Sequence, residues 1–172
     1  MELEKLKDKF SPFDIEWRIQ RAGKSGEKMW GMVLAYVTNR AIMERLDEVC
    51  GQENWKNEFE PWGSKGVKCG ISIKTDKEWV TKYDGAEETN IESVKGGFSS
   101  SMKRAGVQWG IGRYLYNLEA TFVDIQPTKS PATGFVNYIN DKSSGVIGYW
   151  KTPELPKWAL PTIKKEENTN GN

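Results

Sequence analysis

Between Val94 and Tyr116 the apolar positions recur at steps of 4, 4, 3, 4, 3 and 4: Val94, Phe98, Met102, Ala105, Trp109, Gly112 and Tyr116. On a helical wheel they form a stripe roughly 80° wide, the signature of a helix laid along one apolar surface. Thr89 and Glu92 have capping-box spacing at its start, and Asn117 is its expected end. The same stretch holds five glycines, at 96, 97, 106, 110 and 112. Inside a helix each costs about 1 kcal/mol relative to alanine, so a chain that keeps them gains something from the missing side chains. Small residues let another backbone come close.

The surface under this helix is expected just upstream. Three short runs, "NWKNEFEPW", "VKCGISIK" and "EWVTKYD", are separated by glycine and aspartate turns. The middle run alternates: Val67, Cys69, Ile71 and Ile73 on one face, Lys68, Ser72 and Lys74 on the other. That is a half-buried antiparallel meander. The predicted class is therefore α+β, a β-β-β-α core with an additional C-terminal hairpin.

The flanking segments read as follows. Residues 1–10 form a short helix stopped by Pro12, and "DIEWRIQ" is a short ordered piece. Residues 21–28, "RAGKSGEK", read as a polar glycine loop. Residues 29–50 read as helical in two phases, Trp30, Leu34, Val37 and Ala41 on one face, then Ile42, Leu46 and Val49 on another. Thr38 and Asn39 mark the break, so a helix runs from about Arg40 to Cys50 and Gly51 stops it. After the long helix "ATFVDI" is a strand, and "FVNYI" and "GVIGYW" form a hairpin around "NDKSSG". "TPELPKWALP" is an extended segment packed by Trp158. The division is one domain over residues 1–161 and a disordered tail over 162–172.

Composition removes several classes of function. The chain has no histidine, which takes away the commonest general base and metal ligand. Cys50 and Cys69 lie in no CxxC pair, which argues against zinc and for a reducing, cytoplasmic setting. The charged start is neither a signal peptide nor a membrane span, and no apolar run is long enough to cross a bilayer. With a net charge of +1, any nucleic-acid site must be a local patch. Eight tryptophans are many for a chain of 172 residues; each taken singly reads as core, with interface or base stacking as the alternative.

Motifs for small-molecule chemistry fail on inspection. "GKS" at 23–25 lacks the first glycine of a phosphate loop, which would fall at Arg18. "GIGRYL" has Leu115 where a dinucleotide fingerprint needs its third glycine. No Asp or Glu is followed two positions later by Lys, the pattern of many metal-dependent nucleases. "DGAEE" at 84–88 reads as a solvated turn.

Two cationic signals remain. Gly96, Ser99, Gly106 and Gly110 surround Lys103 on the side of the helix away from the stripe. Lys103 thus projects from a surface of little bulk, where a phosphate backbone or a neighbouring subunit could lie close; otherwise it is simply solvated. Arg40 sits in the first turn of its helix, where the dipole disfavours a cation. A bound phosphate shared by helix amides and guanidinium would relieve this; otherwise the arginine is merely exposed.

"AYVTNRAIMERLDEVCGQENW" (35–55), a three-stranded meander, and "SVKGGFSSSMKRAGVQWGIGRYLY" (93–116) together resemble the annealing domain of the Rad52/Rad22 superfamily, over about residues 10–161. The nearest flavour is the bacteriophage single-strand annealing proteins of the Sak and DdrA type. The resemblance implies ATP-independent annealing of complementary single strands in recombination and repair, by a non-enzymatic homo-oligomeric ring or helical assembly with no cofactor. It implies single-stranded DNA and the annealed duplex as partners, together with a phage exonuclease or host single-strand-binding protein, and no membrane. Carried over by position, the implied DNA-binding residues are Arg40, Lys95, Lys103 and Arg104. Some members have a further basic residue three after the arginine; here that place is Val107.

Overall fold

The computed structural model describes residues 1–87 and 93–162; the side chains of residues 93–95 are also outside it. The capping box at Thr89 and Glu92 and the tail from residue 163 onward lie outside the described residues.

The expected meander is present. Strands β3 (Trp55–Trp62), β4 (Gly66–Lys74) and β5 (Trp79–Glu87) form an antiparallel sheet in that order. Val67, Cys69, Ile71 and Ile73 are buried on one face, as their alternation predicts. Helix α2 (Ser93–Gln108) covers that face with Met102 and Ala105, both buried. Just beyond it, the Trp109 indole N–H donates to the Ile71 carbonyl at 2.9 Å, which fixes the helix end on the middle strand. Helix α1 (Asn39–Cys50) closes the core from the side with Ala41, Ile42, Leu46 and Cys50. Its start is capped by Thr38, whose hydroxyl accepts from the Ala41 N–H, and Gly51 ends it at φ 82°. Among the described residues no helix is long and apolar enough to cross a membrane.

Helix α2 stops earlier than its stripe suggests. Gly110 takes φ 95°, its N–H returns to the Val107 carbonyl, and the Ile111 N–H returns to Gly106. These are the paired bonds of a Schellman stop, which a left-handed glycine makes possible. A 3-10 turn, Arg113–Asn117, follows, so Tyr116 ends up exposed rather than on the buried stripe.

Residues 21–37 correct the sequence reading. They are not a loop and a helix but most of a hairpin, β1 (Ile15–Ser25) and β2 (Lys28–Val37), turned at Gly26 and Glu27. Strand β2 is hydrogen-bonded on both sides, to β1 and to β6 (Thr121–Gln126). A central strand carries apolar residues on both faces, and a short apolar run such as "MWGMVLAYV" matches helical spacing by accident. The hairpin β7 (Phe135–Asp141) and β8 (Val146–Lys151) completes a five-stranded sheet in the order β1-β2-β6-β8-β7. Its own apolar cluster is Val33, Ile125, Val146 and Trp150. The extended C-terminal segment is anchored by Leu155 and Ala159, while Trp158, the expected anchor, is exposed. Only Trp109 and Trp150 of the eight tryptophans are buried; Trp62, Trp79 and Trp158 face solvent.

Gly112 makes a sharp test of the link between α2 and the hairpin. It sits at φ 67°, and an added Cβ would strike Val37 Cγ2. Gly112→Ala is expected to cost about 2–4 kcal/mol from backbone strain and overpacking. Gly26→Ala, at φ 61° with no atom within 4 Å, should cost only about 1 kcal/mol. Urea unfolding of the two variants measures the difference.

Candidate nucleic-acid interface

The outer face of β1 and β2 and one side of α2 stand opposite each other across a groove of about 490 Å³. Alternation builds one wall: Ile15, Trp17 and Ile19 turn inward, leaving Glu16 and Arg18 on the outer face beside Tyr36 of β2. Strand β1 is irregular between Ile19 and Arg21, and Gln20 at that irregularity also lines the groove. The other wall is α2, one position round from its buried stripe. Burial of Met102 aims Lys103 and Arg104 toward the groove, which Ser100, Val107 and Tyr116 also line.

Of the sequence-predicted residues, Lys103 and Arg104 meet in this groove, and each already has an anionic partner. Lys103 ion-pairs with Glu16 Oε1 across the groove and donates to Ser99 Oγ at 3.2 Å. Its side chain is only 11% exposed. The second oxygen of Glu16 accepts from Arg18 Nη2 at 3.1 Å. Burial pushes the Glu16 carboxyl up, but Lys103 and Arg18 outweigh that and hold it below its usual range.

Arg104 donates to Asp84 Oδ1 at 2.9 Å, while Gln108 holds Oδ2 at 3.0 Å and the Gly85 N–H returns to Oδ1 at 2.8 Å. Partial burial raises the Asp84 carboxyl, and these donors together pull it below its usual range. Asp84 is therefore not in a solvated turn: it lies in β5, facing α2. Glu88 falls outside the described residues.

Arg40 is exposed on the first turn of α1, as expected, and among the described residues it has no ion pair. It does not line the groove, although Ile42 of the same helix does. Of Lys95 only the backbone, in the first turn of α2, is described. The small-residue surface around Lys103 has an occupant from the same chain: Ile42 lies where a Cβ on Gly106 would meet it at 3.5 Å, and Lys7 crowds Gly110. A further cation, Arg113, is used to hold the carbonyls of Val107 and Gln108 at the end of α2, with Lys82 on Gln108 as well.

Glu16, Arg18 and Tyr36 were missed by sequence reasoning. The signal was present in "IEWRI", whose strict alternation of apolar and polar residues is that of a half-buried strand. The two cysteines contribute no nucleophile to this face. Both are buried, and burial pushes the Cys69 thiol up to about 12.

A sequence model of the family described as Rad52/22 family double-strand break repair protein matches residues 2–133. Single-stranded DNA-binding protein DdrA of Deinococcus radiodurans is 31% identical over 164 residues, covering 91% of this chain and 66% of that protein. The protein of the same name from Deinococcus deserti is 30% identical over 137 residues, covering 76% of this chain and 56% of its own length. The chain thus spans under two thirds of the length of either relative.

The Lys103–Glu16 pair should couple measurably. In a double-mutant cycle with Lys103→Ala and Glu16→Ala, the interaction energy is expected at about 1–3 kcal/mol, because the pair is largely desolvated. Arg104→Ala should cost under about 1 kcal/mol, its side chain being 53% exposed. Since Glu16 and Asp84 are both held low in the folded state, the stability they add is complete above about pH 5 and is lost as pH falls from there through their depressed values. Urea midpoints from pH 6 to pH 2.5 should fall less steeply for Glu16→Gln/Asp84→Asn than for the wild type.

Proposed function

The chain belongs to the Rad52/22 family of double-strand break repair proteins, and we propose that it binds single-stranded DNA and anneals complementary strands in recombination and repair. Annealing proceeds without ATP and without bond-breaking chemistry, on a homo-oligomeric ring or helical assembly. Lys103 and Arg104 hold phosphates in the groove, Arg40 holds another at the start of α1, and Lys95 extends the track along α2.

One observation carries the reading: the Lys-Arg pair of α2 and Arg18 of β1 converge on a single groove, which Ile42 of α1 also lines. The names of the Deinococcus relatives add single-stranded DNA as the ligand class. A subunit of net charge +1 has little long-range pull on DNA. Affinity must come from local contacts repeated along one strand by many subunits. Gripping phosphates leaves bases free, so Watson–Crick pairing with a second strand supplies the specificity.

The setting that goes with this reading is the cytoplasm of a bacterial host carrying a phage-encoded protein. A phage exonuclease that exposes single strands, or the host single-strand-binding protein, is its natural partner. The folded unit runs to about residue 161.

The relatives' names also favour a second reading, a protein that coats single strands and protects them. Fluorescence-monitored pairing of complementary oligonucleotides separates the two. An annealer speeds pairing in nucleotide-free buffer; a coating protein slows it. Arg40→Ala should weaken oligonucleotide binding and lower the slope of log affinity against log salt by about 0.7, the value for one single-strand phosphate. Its oligomeric state, followed by mass photometry, should not change. Unaltered affinity and slope in both Arg40→Ala and Lys103→Ala would remove these residues from the interface.

A further inference from the structure

We infer that Glu16 stands, in the free protein, where a DNA phosphate sits in the complex, and thereby sets how tightly the groove grips a strand. The inference rests on the single-strand-binding reading above. Its basis is the way one carboxylate is held. One oxygen of Glu16 meets Lys103 of α2 and the other meets Arg18 of β1, so a single anion bridges cations from the two walls of the groove. A phosphodiester has the same recognition chemistry: one negative charge and two terminal oxygens able to accept from two donors.

The two carboxylates facing α2 differ in how firmly they are tied. Asp84 accepts from Arg104, Gln108 and a backbone N–H of its own strand, so it is built into the meander. Among the described residues, the polar contacts of the Glu16 carboxylate are to the two cations alone. It can therefore be exchanged without breaking a backbone contact. Lys103, with a side chain 11% exposed, cannot leave Glu16 bare-handed: a largely desolvated ammonium needs an anion in its place. An incoming phosphate is such an anion, and it competes with Glu16 for both cations at once. The effect is a groove that is electrostatically closed until a polyanion enters it and weaker per subunit than its count of cations implies. Strands held this way can be released and re-paired.

The experiment measures binding of a fluorescent single-stranded oligonucleotide by anisotropy across a series of sodium chloride concentrations. Glu16→Gln should bind roughly tenfold tighter at low salt, the effect of freeing a close charge pair. Its log affinity against log salt should steepen by about 0.7 to 1.4, one to two additional phosphates. Glu48→Gln, an equal change of net charge at the end of α1, should move neither quantity. Adding Arg18→Gln to Glu16→Gln should take back part of the gain.

A folded Glu16→Gln protein with unchanged or weaker binding overturns the inference, as does an equal gain from Glu48→Gln. If Glu16→Gln does not fold, Glu16→Asp decides, since it keeps the charge but is too short to span both cations. It should show a smaller gain in the same direction, and no gain overturns the inference. Wild-type protein that binds no oligonucleotide at low salt instead overturns the functional reading itself.

Discussion

Everything on the candidate face depends on how α2 is seated on the meander. Met102 and Ala105 fill the surface made by Cys69, Ile71 and Ile73, and the Trp109 indole N–H ties the helix end to the middle strand. Because successive helical residues turn by about 100°, burying Met102 necessarily rotates Lys103 and Arg104 off the core. The hydrophobic contact that stabilises the fold is thus also what aims the cations. The Schellman stop at Gly110 ends the helix where Arg113 and Lys82 can take its last carbonyls. Those cations serve the backbone and leave the ones on the groove side to other partners.

The sequence made this half of the molecule legible for a physical reason. The meander and α2 each bury one face, and a one-sided element writes its period into the chain: two for Val67 to Ile73, between three and four for Met102, Ala105 and Trp109. Strand β2 is different. It is paired on both edges and apolar on both faces, so its nine residues from Met29 to Val37 carry no clean period. Its two-residue turn at Gly26 was hidden inside what looked like a polar loop. Only β1 advertised the hairpin, through "IEWRI".

The site divided along the same line. Lys103 and Arg40 could be named because each was odd in its own local setting, a cation among glycines and a cation at a helix start; Arg104 came only with the family resemblance. Their partners could not. Glu16 is 87 residues from Lys103 and Asp84 is 20 from Arg104, and no local pattern relates an acid to a base across such gaps. Asp84 sits in an acidic stretch whose sequence reads as a solvated turn, but β5 runs through it beneath α2. Contacts of this kind are products of tertiary packing, and they decide how a charge behaves once its position is known.

That pairing changes what the composition means. A net charge of +1 hides a local cluster of cations, and a lone Lys-Arg pair looks like two free charges when each is already paired. Its cations are present but compensated from within the chain, Lys103 and Arg18 by Glu16, Arg104 by Asp84. On the proposed reading, each phosphate that enters the groove has to displace or outbid an internal carboxylate, so the gain per contact is small. Small gains suit a surface that works by repetition. When many weak, equal contacts share one strand, the whole holds while any single stretch can let go and be re-bound. If the chain anneals strands as proposed, a strand searching for its complement needs that freedom, and a deep, uncompensated cationic cleft would deny it.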